Sequence, residues 1–287
     1  MKVDMHMHTY FSDGTMSPEE IVQKAKTREV GILAITDHNK LESWEELQKA
    51  AAKEGIIPIR GVEINAAYKD KVLHLLAYGF EDHTKLFELI DLADREMQRM
   101  SDDLIVNLSK IDERVSLEDF NAYEYDRRKG GWKGLHYLLE RGLTTKLFEG
   151  FRFYREYGCD FPEYHFPAIE ELCKNIKEAG GYSVLAHPMS YFKELNEEEL
   201  IAVLEDLRSK GLTGIECYYP THSESMTQTC VDFCKKYNML ITTGSDEHGE
   251  FGKEAKTLDQ TIGCMNIHRD MINICLLYTS PSPRDTR

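Results

Sequence analysis

The chain has 287 residues, with 50 acidic against 35 basic side chains for a formal charge of −15, and 41% of its residues are hydrophobic. This is the composition of a globular protein with a real core, in one large domain or two modest ones. The surplus of carboxylates argues against a general binder of nucleic acid or anionic membranes, which grips polyanions with excess Lys and Arg, but leaves room for a small anionic substrate.

The first residues, Met1-Lys2-Val3-Asp4-Met5-His6, lack the apolar stretch of a signal peptide, and no later run approaches the roughly 18 apolar residues of a membrane span. A soluble, cytoplasmic protein is expected. Short β-branched or apolar runs then alternate with stretches of helical period, the pattern of repeated βα units on a mostly parallel sheet. Strands are predicted near Val3–His8, Ile32–Thr36, Ile57–Ile64, Val72–Tyr78, Ser183–Ala186, Gly214–Tyr218 and Leu240–Gly244. After the first, Ser17-Pro18-Glu19-Glu20 reads as an N-cap, a Pro at the first helical position and an acidic first turn, with Gly31 as the stop.

The stretch from Glu81 to Phe166 is far longer than the dozen or so residues of a crossover helix, so residues 81–166 are predicted to form an inserted helical subdomain. Within it, Thr84–Lys110 carries Leu86, Ile90, Leu92, Met97, Leu104 and Leu108 at helical spacing, and Trp132–Leu139 reads as a second helix ended near Gly142. Pro167–Ala179 followed by Gly180-Gly181 is a further helix. Residues 1–80 and 167–275 would then form the main α/β body, and seven or eight βα units in a row favour closure into a barrel. Leu276–Arg287, with its two Ser-Pro steps and no period, is expected to be a disordered, mobile tail; a native end and an appended, non-native segment fit it equally. The seven cysteines, an odd number without a C-x-x-C pair, read as reduced structural thiols, and Cys230 and Cys234, one turn apart, as small buried apolar residues.

The chemistry begins in the first strand. A period of two puts His6 and His8 on one face and Met5 and Met7 on the other, which makes a metal half-site, although H-x-H also occurs on ordinary surfaces. Asp13 follows in Ser12-Asp13-Gly14, where a plain turn or cap role is the alternative. Thr36-Asp37-His38, Gly61-Val62-Glu63, Ala186-His187-Pro188 and Gly244-Ser245-Asp246-Glu247-His248 then place polar, metal-competent residues at strand ends. In a parallel barrel those ends share the face on which active sites are built. His74, between Leu73 and Leu75, fits a core histidine more readily than the others. Asp37 either orients an imidazole or holds its strand end.

The segments His6-Met7-His8-Thr9-Tyr10-Phe11-Ser12-Asp13-Gly14, Thr36-Asp37-His38-Asn39, Gly61-Val62-Glu63-Ile64, the His74 strand, Leu185-Ala186-His187-Pro188 and Gly244-Ser245-Asp246-Glu247-His248-Gly249 resemble the PHP (polymerase and histidinol phosphatase) superfamily, in order, over roughly residues 1–80 and 167–268. The resemblance implies a distorted, TIM-like (β/α)7 barrel with a helical insertion after strand four and up to three metal ions. It assigns His6, His8, Glu63 and Asp246 to one ion; Glu63 as a bridge with His74 and His187 to a second; and Asp13, His38 and His248 to a third. Six imidazoles and three carboxylates suit two to three divalent transition metals, Mn, Fe or Zn, better than Mg or Ca.

Such a site serves phosphate ester hydrolysis with a metal-bound hydroxide as nucleophile, so no protein nucleophile is required. The insertion would cover the metal face as a partial lid, with Arg95, Arg99, Arg127, Arg128, Lys129 and Lys133 gripping a second anionic group; solvated helix faces are the alternative. His222, in the loop after strand six, would touch substrate phosphate or be an ordinary loop histidine. A similar insertion occurs in PHP phosphatases acting on nucleoside 3′,5′-bisphosphates and on 5′ ends of short RNAs, which points to a small, nucleotide-like phosphomonoester and to neither long nucleic acid nor membrane as partner. The stretch Glu124–Gly134 departs from the insertion of those enzymes. Histidinol-phosphate phosphatase is the main enzymatic alternative, and a non-catalytic PHP structural or regulatory module the alternative of another class. Amidohydrolase chemistry is disfavoured, since no lysine stands at a strand end to be carbamylated.

Overall fold

The computed structural model describes residues 1–255 and 260–273, so Cys275 and the predicted tail at 276–287 lie outside the described residues. Seven strands, β1 (Lys2–Asp4), β2 (Val30–Ile35), β3 (Ile57–Tyr68), β4 (Lys71–Tyr78), β5 (Tyr182–Leu185), β6 (Gly214–Tyr218) and β7 (Leu240–Thr243), form one sheet in chain order. Helices α1 (Pro18–Thr27) and α2 (Trp44–Glu54) follow β1 and β2. Between β4 and β5 come α3 (Thr84–Leu108), α4 (Leu117–Ala122), α5 (Lys133–Glu140), α6 (Gly150–Glu156) and α7 (Ile169–Glu178), and then α8 (Met189–Phe192), α9 (Glu197–Ser209), α10 (Glu224–Tyr237) and α11 (Glu250–Ala255). This is the mixed α/β architecture expected, and every predicted strand has its counterpart.

The segments leaving β1 and β7 bond to one another. Met5 N–H donates to the Thr243 carbonyl (2.9 Å), Asp246 N–H to that of His6 (2.8 Å) and His8 N–H to that of Glu247 (2.9 Å). The two edges of the sheet are thereby paired instead of left open to solvent.

The expected βα alternation fails once. The turn at Lys69-Asp70 between β3 and β4 leaves no room for a crossover helix, so β4 runs antiparallel to both β3 and β5, with His74 opposite Asn65. Two consequences follow for the site. The first half of β4, with His74, lies at the same end of the sheet as the last residues of the parallel strands. The helical segment after β4 must therefore start from the opposite end, and α3, 25 residues and about 37 Å long, crosses back to the histidine-bearing end, where Lys40 Nζ bonds Asp94 Oδ2 at 2.6 Å. Apolar residues of this segment, such as Leu104, Leu135 and Leu138, belong to the same continuous core as Leu75 and Val184 of the sheet.

Helix signals hold at the starts better than at the ends. Ser17 caps α1 through a full capping box with Glu20, and Asn196 does the same for α9. Gly31, expected as the stop of α1, instead lies inside β2; the helix ends at Arg28, and Glu29 takes the left-handed conformation that turns the chain. Cys230 and Cys234 are buried on α10 with free thiols, as expected, and Cys217 of β6 lies 3.9 Å from Cys234. Among the described residues no helix is long and apolar enough to cross a membrane. Because the Ser17 hydroxyl accepts from Glu20 N–H at an exposed helix start, Ser17→Ala should lower stability by about 1 kcal/mol, read as a shift in urea midpoint at unchanged slope.

Candidate metal centre

Local geometry explains why the histidines converge. His6 and His8 follow β1 in an extended stretch, so both rings turn inward while Met5 and Met7 pack into the core. His38 follows β2, Glu63 and His74 face each other across the β3–β4 hairpin, His187 follows β5, and Asp246 and His248 follow β7. Asp246 and His187 have positive φ, a strained backbone that aims their side chains back over the sheet end.

At the centre lies Glu63, fully buried. Its Oε2 is 3.1 Å from His6 Nε2, 3.2 Å from His8 Nε2 and 3.2 Å from His38 Nδ1, while Oε1 is 2.9 Å from His74 Nδ1 and 3.1 Å from His187 Nε2. Asp246 Oδ1 completes the first group, 3.2 Å from His8 Nε2. Asp13 stands to the side, its Oδ1 3.3 Å from His248 Nε2 and its Oδ2 3.8 Å from His38 Nε2. Donors about 3.0–3.4 Å apart are what an ion with bonds of about 2.1 Å requires of its neighbouring ligands. Three groups of donors could each hold one: His6, His8, Glu63 and Asp246; His8, Asp13, His38 and His248; and His38, Glu63 and His74, with His187 Nε2 3.3 Å from His74 Nδ1. All nine predicted residues thus come together. The grouping is less partitioned than the resemblance implied, because His8 also faces the Asp13 group and His38 also faces Glu63.

Orphaned nitrogens fit the same reading. Both ring nitrogens of His8 and Nδ1 of His187 are buried without a well-aligned hydrogen bond, which is costly unless the lone pairs have another partner. His6 Nδ1 donates to Glu216 Oε1 (2.9 Å), and His248 Nδ1 to the Asp246 carbonyl (2.8 Å). In the neutral ring each bond fixes the tautomer that leaves Nε2 bare toward the carboxylates, as metal-ligating imidazoles require.

Charge in the donor cluster is shared between rings and carboxylates. Burial alone would lower His6, but Glu63, Glu216 and Asp246 outweigh it and hold the ring well above its usual range; His8, equally buried, is lifted to about 9 by Asp246 and Glu63. Burial would raise Glu63 and Asp13, yet the facing imidazoles, His6 foremost for Glu63 and His248 for Asp13, hold both carboxyls well below their usual range. Burial dominates at His38 and takes it down to about 3.

Sequence reasoning missed Glu216. Its Oε2 accepts the His187 backbone N–H (2.8 Å) while its Oε1 holds His6, so one buried carboxylate in β6 braces one imidazole and the backbone that carries another. The available signal was a charged residue at an inward position of the apolar run Gly214-Ile215-Glu216-Cys217. Tyr219 was missed too; its hydroxyl donates to Asp246 Oδ2 (2.7 Å) and leaves Oδ1 facing the rings.

Beside the donors opens a cavity of about 500 Å³ between the sheet end and the inserted helices. Asp13, His38 and His74 line one side, and Lys40, Tyr125, Arg127, Trp132, Lys133 and Phe161 are among the residues lining the rest. Of the six predicted basic residues, only Arg127 and Lys133 reach it. Arg95 pairs with Asp91, Arg99 with Glu96 while packing on Tyr164, and Arg128 with Glu20 over Tyr10, all on outer faces; Lys129 is exposed and outside the lining. Helical periodicity shows that a face is solvated, not which solvated face looks inward. His222 also lies outside the lining: its Nδ1 bonds the Cys217 carbonyl and its ring packs on Tyr219. Asp37 orients no imidazole; it accepts from Thr9 N–H, Thr9 Oγ1 and Ser12 Oγ and so holds the loop between His8 and Asp13.

A sheet end carrying six imidazoles and three carboxylates beside a cavity offers the donors of a metal centre. Residues 4–134, a little under half of the chain, match the PHP domain, and the relatives support a metal-dependent phosphoric ester hydrolase. Its relatives include a 5′-3′ exoribonuclease of Haemophilus influenzae, 26% identical, covering 91% of this chain and 97% of that protein. A phosphoribosyl 1,2-cyclic phosphate 1,2-diphosphodiesterase of Eggerthella lenta is 26% identical, covering 87% and 95%, and a 3′,5′-nucleoside bisphosphate phosphatase of Chromobacterium violaceum 23% identical, covering 94% and 96%. The crystal structure of a putative metal-dependent phosphoesterase from Bifidobacterium adolescentis superposes with a TM-score of 0.72 at 25% identity, over 87% of this chain and 88% of the other.

Two outcomes follow from the geometry. His6 and His8, held above their usual range, carry protons at neutral pH that a metal must displace, so metal binding at pH 7 should release protons and tighten as pH rises toward 9. Titration calorimetry in buffers of different ionisation enthalpy reads this directly, and a buffer-independent heat would contradict it. Glu216→Ala should weaken metal binding about 10–100-fold, measured by competition with a chelator.

Proposed function

We propose that the chain hydrolyses a small, nucleotide-like phosphomonoester: a nucleoside 3′,5′-bisphosphate or the 5′ end of a short RNA. The observation that carries this reading is the shared wall between the donor cluster and the 500 Å³ cavity, whose Asp13, His38 and His74 belong to both. That volume suits a ligand of nucleotide size. Trp132, Phe161 and Tyr125 supply apolar faces for a flat leaving group, and Lys133 and Arg127 supply cations for a further phosphate.

Divalent ions held by His6, His8, Glu63, Asp246 and their neighbours would polarise the phosphoryl group and supply a nucleophilic water. The chain's own residues do the rest. Glu63 turns its two oxygens to different imidazoles and would be shared between ions. Glu216 and Tyr219 hold His6, His187 and Asp246 in place before substrate arrives. The cavity hydroxyls are engaged elsewhere, Ser12 with Asp37 and Ser101 with Tyr154, in keeping with a reaction that uses no protein nucleophile.

A Mn-supplemented phosphate-release assay over nucleoside 3′,5′-bisphosphates, nucleoside monophosphates, 5′-phosphorylated short RNA and histidinol phosphate tests the proposal. Turnover is expected on the nucleotide substrates and should fall to background in His8→Ala and Asp246→Ala. Undiminished turnover in both variants would sink the proposed centre, and release from histidinol phosphate alone would overturn the substrate class.

A further inference from the structure

The stretch Asp126–Lys133 meets the metal centre through backbone. Gly131 N–H donates to the carbonyl of Asp13 at 2.8 Å, while the carboxylate of the same residue faces His8, His38 and His248. Gly130, at φ 69° and ψ 179°, has a conformation open only to glycine, and a Cβ there would sit 2.8 Å from the Asp13 carbonyl oxygen and 2.5 Å from Phe251 Cβ. Phe251 lies three residues after His248. The turn is therefore wedged between two segments that each carry a donor of the Asp13 group.

The far side of the turn is braced as well. Buried His136 donates from Nε2 to the Gly130 carbonyl at 2.6 Å, Tyr125 stacks on the His136 ring at 4.6 Å, and the Tyr125 hydroxyl donates to the Gly131 carbonyl at 3.3 Å. On either side of the two glycines, Arg127 and Lys133 line the cavity.

We propose that the Gly130-Gly131 turn is a positioning element for the metal cluster around Asp13, coupling that cluster to the docking of the cavity wall that carries Arg127 and Lys133. The inference rests on the metalloenzyme reading above. Fixing the Asp13 carboxylate fixes the carbonyl that receives Gly131, and a docked turn in return holds the carboxylate toward His248 and His38. Such coupling is reciprocal: whatever docking adds to metal affinity, metal adds to docking. His136 and Tyr125 act through the turn and are positioning residues.

Mn²⁺ titration of the full chain, read by equilibrium dialysis with elemental analysis, tests this. In Gly130→Ala and His136→Ala one Mn²⁺ step should weaken about 10-fold while the others stay unchanged. His136→Gln, whose side-chain amide still donates to the Gly130 carbonyl, should restore it. A purely structural turn would lower thermal stability in these variants and leave every binding step as in the parent, which would overturn the inference. Should the variants not fold, hydrogen exchange of the unaltered protein decides: Mn²⁺ is expected to slow exchange in residues 125–136, and unchanged exchange there overturns the coupling. A parent protein that binds no Mn²⁺ overturns the metalloenzyme reading itself, whereas a parent that binds Mn²⁺ with unperturbed variants overturns this inference alone.

Discussion

The carboxylate of Glu63 is the constraint around which the chain is arranged. A fully buried anion is expensive unless cationic or electrophilic partners surround it, and here five imidazoles do so, three on one oxygen and two on the other. To deliver those rings the fold brings three separate strand ends and the first half of β4 to one point. The surrounding carboxylates hold His6 and His8 above their usual range, and bound ions would take the place of those protons. The net acidity of the chain is thus a poor guide to the active-site end, where the balance is set by buried histidines and what they bind.

The support behind that cluster is as specific as the donors. Glu216 spans His6 and His187, Tyr219 turns Asp246, and Asp37 ties down the loop that carries Asp13. Each lies behind a donor and inside the protein, where a hydrogen bond keeps an imidazole or carboxylate in one orientation and one tautomer. Preorganisation of this kind is what lets a hydrolase act on a substrate without rebuilding its site at every turnover.

Most of the donor set was legible in the sequence because period-two alternation and strand-end position are local properties: His6 and His8 two apart, Asp246 and His248 two apart, Glu63 deep in an apolar strand. Strand positions followed from short β-branched or apolar runs and needed no tertiary information. What escaped depended on direction and distance. The antiparallel course of β4 follows from a turn of two residues, Lys69 and Asp70, that carries no strong hairpin signature. Whether Arg127 or Arg128 looks into the cavity depends on how the Gly130-Gly131 turn docks, and the two are adjacent in the chain. Glu216 sits in a stretch that reads simply as a core strand, and its role appears only once His6, 210 residues away, is placed beside it.

The paired edges of the sheet carry a consequence for how the molecule comes apart. The bonds that join the segments after β1 and β7 lie among the donors themselves, with His6 and His8 on one side of the seam and Asp246 and His248 on the other. Ions bound there would rivet the first and last strands together, the contact of greatest sequence separation and so the slowest to re-form once lost. Opening of the seam would then wait on metal release, so the centre that performs the chemistry would also set the lifetime of the folded chain.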